Sequence, residues 1–337
     1  MLRARLHLPP LILALAFVAG CTPRGADDAT PPAGTPGPFE ATVLPNNFAF
    51  PEGDTVRVMT WNLENFVDLH DNPYNGSESE SRPDRRELQE RHETLAAFMR
   101  ALRPDVVAFQ EVEGVALLEE LADRFFPEMG YRFFAAADRG DWHQNVFVMS
   151  RLPLGVVRSL APVTTPVPGT VLETGETEAQ SQVNHRILVV EVLARPGEWF
   201  TLGAVHLKAG RTPRDEGHRR GQLEALRAEL ARTRILYPGI PMVVAGDLNL
   251  IPTEAELQLL TGGSGELDFA DVLGGGGRPT HPSEDPVRQL DYILVNPAME
   301  RRLVPGSGEV GAPFPVDALR LMSDHLPVVA DFLFPGG

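Results

Sequence analysis

Carboxylates, carboxamides and imidazoles stand at the ends of several apolar runs in this chain, where loops can gather them into one place. Asn62 closes Val58-Met59-Thr60-Trp61, Glu111 closes Val107-Ala108-Phe109-Gln110, and His206 closes Gly203-Ala204-Val205. Asp247 and Asn249 follow Val243-Val244-Ala245-Gly246, and Asp291 lies inside Gln289-Leu290-Asp291-Tyr292-Ile293-Leu294. Ser323-Asp324-His325 precedes Leu326-Pro327-Val328. Groups of these types hold hard cations through oxygen and pass protons. Each also has an ordinary explanation by itself. Asn62 satisfies a strand end, Gln110-Glu111 is a solvated terminus, and Gly246-Asp247-Leu248-Asn249 is an Asx turn. Ser323-Asp324 caps a turn, with His325 at the surface. Asp291 is the least comfortable of the set, because a carboxylate buried in a strand needs a partner.

Positioning these groups falls to alternating strands and helices. Strand-like runs cover residues 56–62, 106–110, 145–150, 187–193, 200–207, 242–245, 290–295 and 328–332. The unbroken apolar run at 106–110 is that of a strand buried on both faces. Leu88, Leu95, Phe98, Met99 and Leu102 fall at helical spacing, and Arg103-Pro104 stops that helix. A second amphipathic helix spans 219–234 with Leu223, Leu226 and Leu230 inward, and Thr253-Glu254-Ala255-Glu256 reads as a capping box opening another. Residues 262–277 are glycine-rich and read as a surface loop. The alternation predicts an α/β layered domain. Pattern alone leaves a doubly wound sheet and a two-sheet sandwich both open.

Taken together the motifs are specific. The chain reads Met59-Thr60-Trp61-Asn62-Leu63-Glu64-Asn65, Gln110-Glu111-Val112, Ser150-Arg151-Leu152-Pro153, Val205-His206-Leu207-Lys208, Gly246-Asp247-Leu248-Asn249, Leu290-Asp291-Tyr292-Ile293-Leu294 and Ser323-Asp324-His325-Leu326-Pro327. In order and approximate spacing this resembles the endonuclease/exonuclease/phosphatase superfamily, in its deoxyribonuclease-like branch, from about residue 56 to 333. The resemblance implies a four-layer α/β sandwich, two packed β-sheets flanked by helices, and a phosphoester hydrolase dependent on Mg²⁺ or Mn²⁺. It assigns metal binding mainly to Glu111, with Asn62 beside it and Asp324 contributing. Asp247 orients or deprotonates the attacking water, and Asn249 donates to the phosphoryl oxygens. His325, paired with Asp291, acts on the phosphate or as general base, and His206 also contacts the phosphate. Whether Asp247 or His325 takes the proton stays open, because the two can titrate together.

Composition adds Lys208 and limits the substrate. The chain carries 29 arginines and one lysine, Lys208, two residues past His206. A guanidinium does not replace a compact ammonium. If both residues extend the strand, their side chains share a face and Lys208 adds a point charge beside the phosphate. Lys208, Arg211, Arg214, His218, Arg219 and Arg220 form the densest basic stretch, fit to track a nucleic-acid backbone or equally to be a solvated helix start. Lys208 and Arg211 are its candidates for substrate phosphate. A second cluster, Arg82, Arg85, Arg86 and Arg91, is interleaved with acids. The formal charge is −16. Such a body repels polyanions at long range, which excludes a nucleic-acid-coating protein more than it excludes a nuclease.

The amino terminus carries a separate message. Arg3 and Arg5 precede an apolar run at 11–18 that is too short to span a bilayer. Val18-Ala19-Gly20-Cys21 resembles a bacterial lipobox, so residues 1–20 read as a lipoprotein signal peptide with acyl attachment at Cys21. Cys21 is the sole cysteine, which excludes disulfides and thiol catalysis in the rest of the chain. Residues 21–53, rich in Pro and Gly, read as a lipidated flexible tether, and 54–337 as the catalytic domain. Thr22, rather than Asp, after the cysteine points to the outer membrane of a bacterial envelope. The expectation is a monomeric, membrane-anchored nuclease acting on extracellular or periplasmic nucleic acid. The alternatives are a phosphomonoesterase, a phospholipid or inositol-phosphate head-group hydrolase, and a non-catalytic binding lipoprotein. The polar character of residues 164–182, which carry no aromatic insertion, lowers the lipase-like option.

Overall fold

The computed structural model describes residues 44–70, 82–137, 142–263, 265–274, 277–311 and 313–335. The expected leader, Cys21 and most of the tether lie outside the described residues. Fourteen strands are found among the described residues: β1 (Thr55–Phe66), β2 (Val106–Val112), β3 (Phe133–Ala137), β4 (Asn145–Ser150), β5 (Leu154–Ser159), β6 (Thr165–Val171), β7 (Thr177–Gln180), β8 (Ile187–Arg195), β9 (Glu198–His206), β10 (Met242–Asp247), β11 (Ala270–Asp271), β12 (Asp291–Val295), β13 (Glu309–Val310) and β14 (Val328–Leu333). The helices are α1 (Arg85–Leu102), α2 (Val115–Phe125), α3 (Pro213–Leu236), α4 (Gln258–Thr261), α5 (Pro297–Glu300) and α6 (Val316–Met322).

Two six-stranded sheets result, ordered β13-β14-β1-β2-β4-β3 and β11-β12-β10-β9-β8-β5, with β6 and β7 forming a separate hairpin. Side chains that alternate along each strand divide the apolar residues into three layers. Val58, Ala108, Val148, Val190, Leu202, Val243 and Ile293 fill the space between the sheets. Met59, Trp61, Phe109 and Val329 face the other way, against Leu95, Phe98 and Met99 of α1, Leu118 of α2 and Leu319 of α6. Val189, Val205, Val244 and Leu294 cover the outer face of the second sheet together with Leu223, Leu226 and Leu230 of α3. These layers are the expected sandwich of two sheets flanked by helices.

Several boundaries differ from the sequence pattern. The strand expected at 200–207 ends at His206, and α3 starts six residues early, at Pro213, where Thr212 and Asp215 make a complete capping box. The box expected at Thr253 is not made. Glu254 instead accepts from the Ile251 amide at 2.7 Å, and a single 3₁₀ turn leads into α4. Within the glycine-rich loop Leu267, Phe269 and Leu273 are buried and β11 pairs with β12, so much of that segment is core. Packing also begins before residue 54: Phe50 lies against the inter-sheet core, and Phe48 meets the Phe133 ring edge-on at 5.6 Å. Residues 164–182 form the β6–β7 hairpin, laid against α3. Gly217 and Gly221 permit this, since a Cβ there would come within 2.5 Å of the Pro168 carbonyl and 2.3 Å of the Pro166 carbonyl respectively.

Candidate active site

The parity that builds the inter-sheet core also builds the site. Val56 and Val58 point between the sheets, and two steps on from Thr60 so does Asn62. The same rule carries Leu202 and Ala204 to His206, Val243 and Ala245 to Asp247, and Val295 and Ile293 to Asp291. Register aligns them: Asp247 pairs with His206 on one side and Asp291 on the other, while Asn62 pairs with Gln110. The polar end of the sandwich is therefore the apolar core continued by a change of residue type.

The contacts follow. Asn62 Nδ2 donates to Glu111 Oε1 at 3.2 Å and to Asp247 Oδ2 at 3.1 Å, bridging the two sheets. His206 Nε2 sits 3.6 Å from both Glu111 Oε1 and Asp247 Oδ2. His325 donates through Nδ1 to Asp291 Oδ2 at 2.8 Å and presents Nε2 to Asp247 and Asp324, each at 3.8 Å. Asn249 is the Asx turn and a site residue at once. Its amide donates to Asp247 Oδ1 at 2.8 Å and its Nδ2 to Asp247 Oδ2 at 3.2 Å. Glu111 and Asn249 both adopt left-handed backbone, at φ 59° and 51°, a conformation costing on the order of 1 kcal/mol or more for residues with a Cβ. Loop 323–325 is tied to the end of β1, because Ser323 Oγ donates to the Asn62 carbonyl at 2.6 Å and the Trp61 indole to the His325 carbonyl at 2.9 Å.

The electrostatics separate the two histidines. Burial, then the positive charges of Arg186 and His325, hold His206 well below the ordinary imidazole range, so it is neutral. Burial also opposes charge on His325, but Asp291 and Asp247 outweigh it and push its pKa up to about 10. Burial raises Asp247 to about 7, with the His325 cation and the donors Asn249 and Asn62 pulling the other way. His325 is thus an imidazolium among carboxylates, poised to meet a phosphoryl oxygen. Asp247 is the carboxylate whose proton affinity suits taking a proton from water.

The structure gathers Asn62, Glu111, His206, Asp247, Asn249, Asp291, Asp324 and His325; the charge of Lys208 acts on His206, but its ammonium is paired elsewhere. The strand ends before it. Lys208 Nζ lies 3.0 Å from Asp215 and donates to the Ala209 carbonyl at 2.7 Å, so it serves the start of α3. Arg211 lies at the rim, donating to the Asn249 carbonyl at 2.9 Å. Apart from exposed Arg220, the arginines of the basic stretch that follow are paired. Arg214 forks onto Glu178 of the hairpin, and Arg219 is fully buried with Glu256 at 3.1 Å. In the second cluster Arg91 is also buried, donating to the carbonyls of Leu63, Glu64, Asn65 and Met322. It braces the turn that carries Asn62.

Several participants stand outside the expected site residues. Arg186, just before β8, is buried and donates to Gln144 Oε1 at 3.0 Å, and its charge acts on Glu111 and Asp247. Gln144 in turn donates to Glu111 Oε2 at 3.0 Å. Glu64 accepts from the Asp324 amide at 2.8 Å. His281 reaches Asp324 from a hairpin that sequence pattern leaves featureless, Nε2 to Oδ2 at 3.1 Å. Burial, then the charge of Asp324 and also that of Glu111, raise the Glu64 carboxyl. Mutually repelling carboxylates next to the Asn62 carboxamide form an oxygen-rich donor set, which fits a hard divalent cation.

A family model described as the Endonuclease/Exonuclease/phosphatase family matches residues 59–325. The chain belongs to that family, and it is an enzyme that hydrolyses phosphoester bonds. Solved structures with the same fold include a humanized TDP2 from D. rerio (20% identity, TM-score 0.54, covering 82% of this chain and 98% of that one). An endonuclease/exonuclease/phosphatase from Beutenbergia cavernae is 23% identical, with a TM-score of 0.54, and covers 85% of this chain and 72% of its own. The human Nocturnin catalytic domain with bound sulfate is 21% identical, with a TM-score of 0.51, and covers 83% and 95%. No curated protein matches the chain by sequence.

Proposed function

We propose that the protein is a divalent-metal-dependent phosphodiesterase that cuts nucleic acid outside the cytoplasm, held at a bacterial envelope through Cys21. The observation that carries the catalytic reading is the His325 imidazolium, fixed by Asp291 and facing Asp247 across 3.8 Å. A phosphoryl group entering between them meets a cation on one side and a carboxylate ready to orient and deprotonate water on the other. Asn62 and Asn249 hold Asp247 in place, and Asn249 is placed to donate to a phosphoryl oxygen. Neutral His206 adds a donor without adding charge. Glu111, Asn62, Glu64 and Asp324 would hold Mg²⁺ or Mn²⁺, which when bound neutralises phosphate charge and acidifies water. A D. rerio TDP2 of the same fold is seen with a single-strand DNA product, which supports nucleic acid as the class to try first. The completeness of the dyad disfavours a non-catalytic binding role.

A second reading has its own support. The neutralised arginines leave little positive track for a long polyanion, and this favours small phosphoesters such as inositol phosphates or phospholipid head groups. Supercoiled plasmid incubated with the protein and Mg²⁺ or Mn²⁺ decides between the two. Nicking abolished by chelator and by His325→Ala is the expected result. Intact plasmid together with turnover of small phosphoesters would replace the first reading with the second. The membrane claim has its own test: Cys21→Ser should release the protein from the membrane fraction, and retention there would sink the anchor.

A further inference from the structure

We propose that Arg186 is a positioning residue: it fixes the carboxamide of Gln144 and so sets which oxygen of Glu111 is left for a divalent cation. The consequence for the ion rests on the metal-dependent reading above, whereas the hold on Gln144 stands on geometry alone. Glu111 needs such help because its backbone does not fix its direction. β2 and β4 pair Gln110 with Val146 and Val112 with Asn145, so the register skips Glu111, which bulges at φ 59°. A bulged residue is left out of the ladder, and its side chain is aimed by what it bonds.

Those bonds divide the carboxylate. Oε2 accepts from the Asn65 amide at 3.1 Å and from Gln144 Nε2 at 3.0 Å. Oε1 accepts from Asn62 Nδ2 at 3.2 Å and lies 3.6 Å from His206 Nε2, and both of those groups also approach Asp247. Scaffold donors thus occupy Oε2, and Oε1 is the oxygen turned toward the catalytic groups. Glu111 is set to ligate through one oxygen.

Gln144 can do this in one orientation only. Its Nε2 also donates to Asn65 Oδ1 at 2.8 Å, so its NH₂ faces two acceptors, while its Oε1 accepts from Arg186 Nη2 at 3.0 Å. Half a turn of the carboxamide would set its NH₂ against a guanidinium that cannot accept, and its oxygen against Glu111 Oε2. Arg186 enforces the orientation from the second sheet. It closes the 3₁₀ turn Asn184–Arg186 ahead of β8, whereas Gln144 precedes β4 of the first sheet. The guanidinium is buried, with its Cζ 5.7 Å from the centroid of the Trp142 ring. Charge gives the opposite expectation. Arg186 acts electrostatically on Glu111 and Asp247, and a cation there repels a second one. If charge were its role at the metal, removing it would tighten the ion, whereas loss of positioning loosens it.

The test measures Mn²⁺ binding to the purified full chain by calorimetry and electron paramagnetic resonance. The component lost in Glu111→Gln is the signal of the site. Arg186→Met and Gln144→Met should each weaken that component by about tenfold or more. The double variant should be no weaker than Gln144→Met, because Arg186 acts through Gln144. Arg186→Lys, which keeps a donor, should restore binding. Without metal, the Gln144 side-chain amide resonance, assigned by its loss in Gln144→Met, should be protected from exchange in wild type and Arg186→Lys but not in Arg186→Met. Tighter or unchanged Mn²⁺ binding by Arg186→Met, or additive losses in the double variant, overturns the positioning role. Unchanged binding by Gln144→Met overturns it too, and needs no folded Arg186→Met. Equal protection of the Gln144 amide with and without Arg186 overturns the hold on Gln144. Wild type that binds no Mn²⁺ sinks the metal-dependent reading and the consequence for the ion, while the Gln144 amide still decides the hold.

Discussion

On the proposed hydrolase reading His325 carries the largest catalytic expectation, because it is a cation held between Asp291 and Asp247. Its truncation to Ala should lower kcat by about 10²–10⁴, the range for a positioned proton-transfer or charge-stabilising group, with circular dichroism confirming the fold. The same proton is visible in stability. Above pH 7 a free imidazole is neutral, whereas His325 holds its proton to about 10, mainly through Asp291 and Asp247 against the cost of burial. The folded state therefore binds more protons than the unfolded one in this window. Its stability must fall as pH rises from about 7 through 10. Asp291→Asn removes the strongest partner, so the urea midpoint of chelator-treated protein should decline less steeply over that range. An unchanged slope would mean that Asp291 does not hold the proton. Asp247 titrates lower, near 7, and leaves the upper window to His325.

Strands bring these side chains together only because β9 and β10 approach closely, and Gly246 permits it. A Cβ there would stand 1.9 Å from the Val205 carbonyl, at φ 154°. Gly246→Ala must push the strands apart one residue from Asp247, so it should destabilise by more than about 2 kcal/mol and cost activity beyond the unfolded fraction. Urea unfolding and turnover at equal folded concentration measure the two. At the start of α3, burial raises the Asp215 pKa, but donation from Thr212 and Lys208 wins and brings it to about 2. This contribution is present above about pH 4 and lost toward pH 2. Asp215→Asn should flatten the Tm profile there, and Lys208→Met should weaken its slope. Failure of both would return Lys208 to the pool of phosphate candidates. What could be read from sequence follows the same division. Alternation along β10 and β12 carries Asp247 and Asp291 into the interior, so their pairing follows from period-two patterning. Alternation stops where the strand stops, at His206, and so it does not fix which way Lys208 points. Arg219 looked like surface because its partner Glu256 is 37 positions away, and Arg186 sits before β8 among residues with no periodic signal. Long-range pairings of charge leave no local pattern.

Across the molecule the charge balance makes a claim about the substrate that mutation of one residue cannot test. The chain carries −16, and most of its basic residues near the site are consumed internally: Arg91 and Arg186 inside the fold, Arg214 by Glu178, Arg219 by Glu256 and Lys208 by Asp215. Along 208–220 the exposed arginines are Arg211, Arg214 and Arg220; Arg214 is paired with Glu178, which leaves Arg211 and Arg220, and Arg211 is itself 3.7 Å from Glu254. Each phosphate neutralised steepens the fall of affinity with salt by nearly one logarithmic unit per decade. Two contacts predict that kcat/KM for plasmid nicking drops by roughly tenfold or less between 50 and 200 mM salt, whereas a groove making six or more contacts loses about 10³. A shallow slope with fast nicking means that the enzyme grips one or two phosphates at the cleavage point and ignores the rest of the backbone. That is the behaviour expected if chemistry at Asp247 and His325, rather than the surface, selects the bond. A thousandfold loss would show a basic path elsewhere on the molecule, and the neutralised stretch at α3 would no longer bear on substrate length.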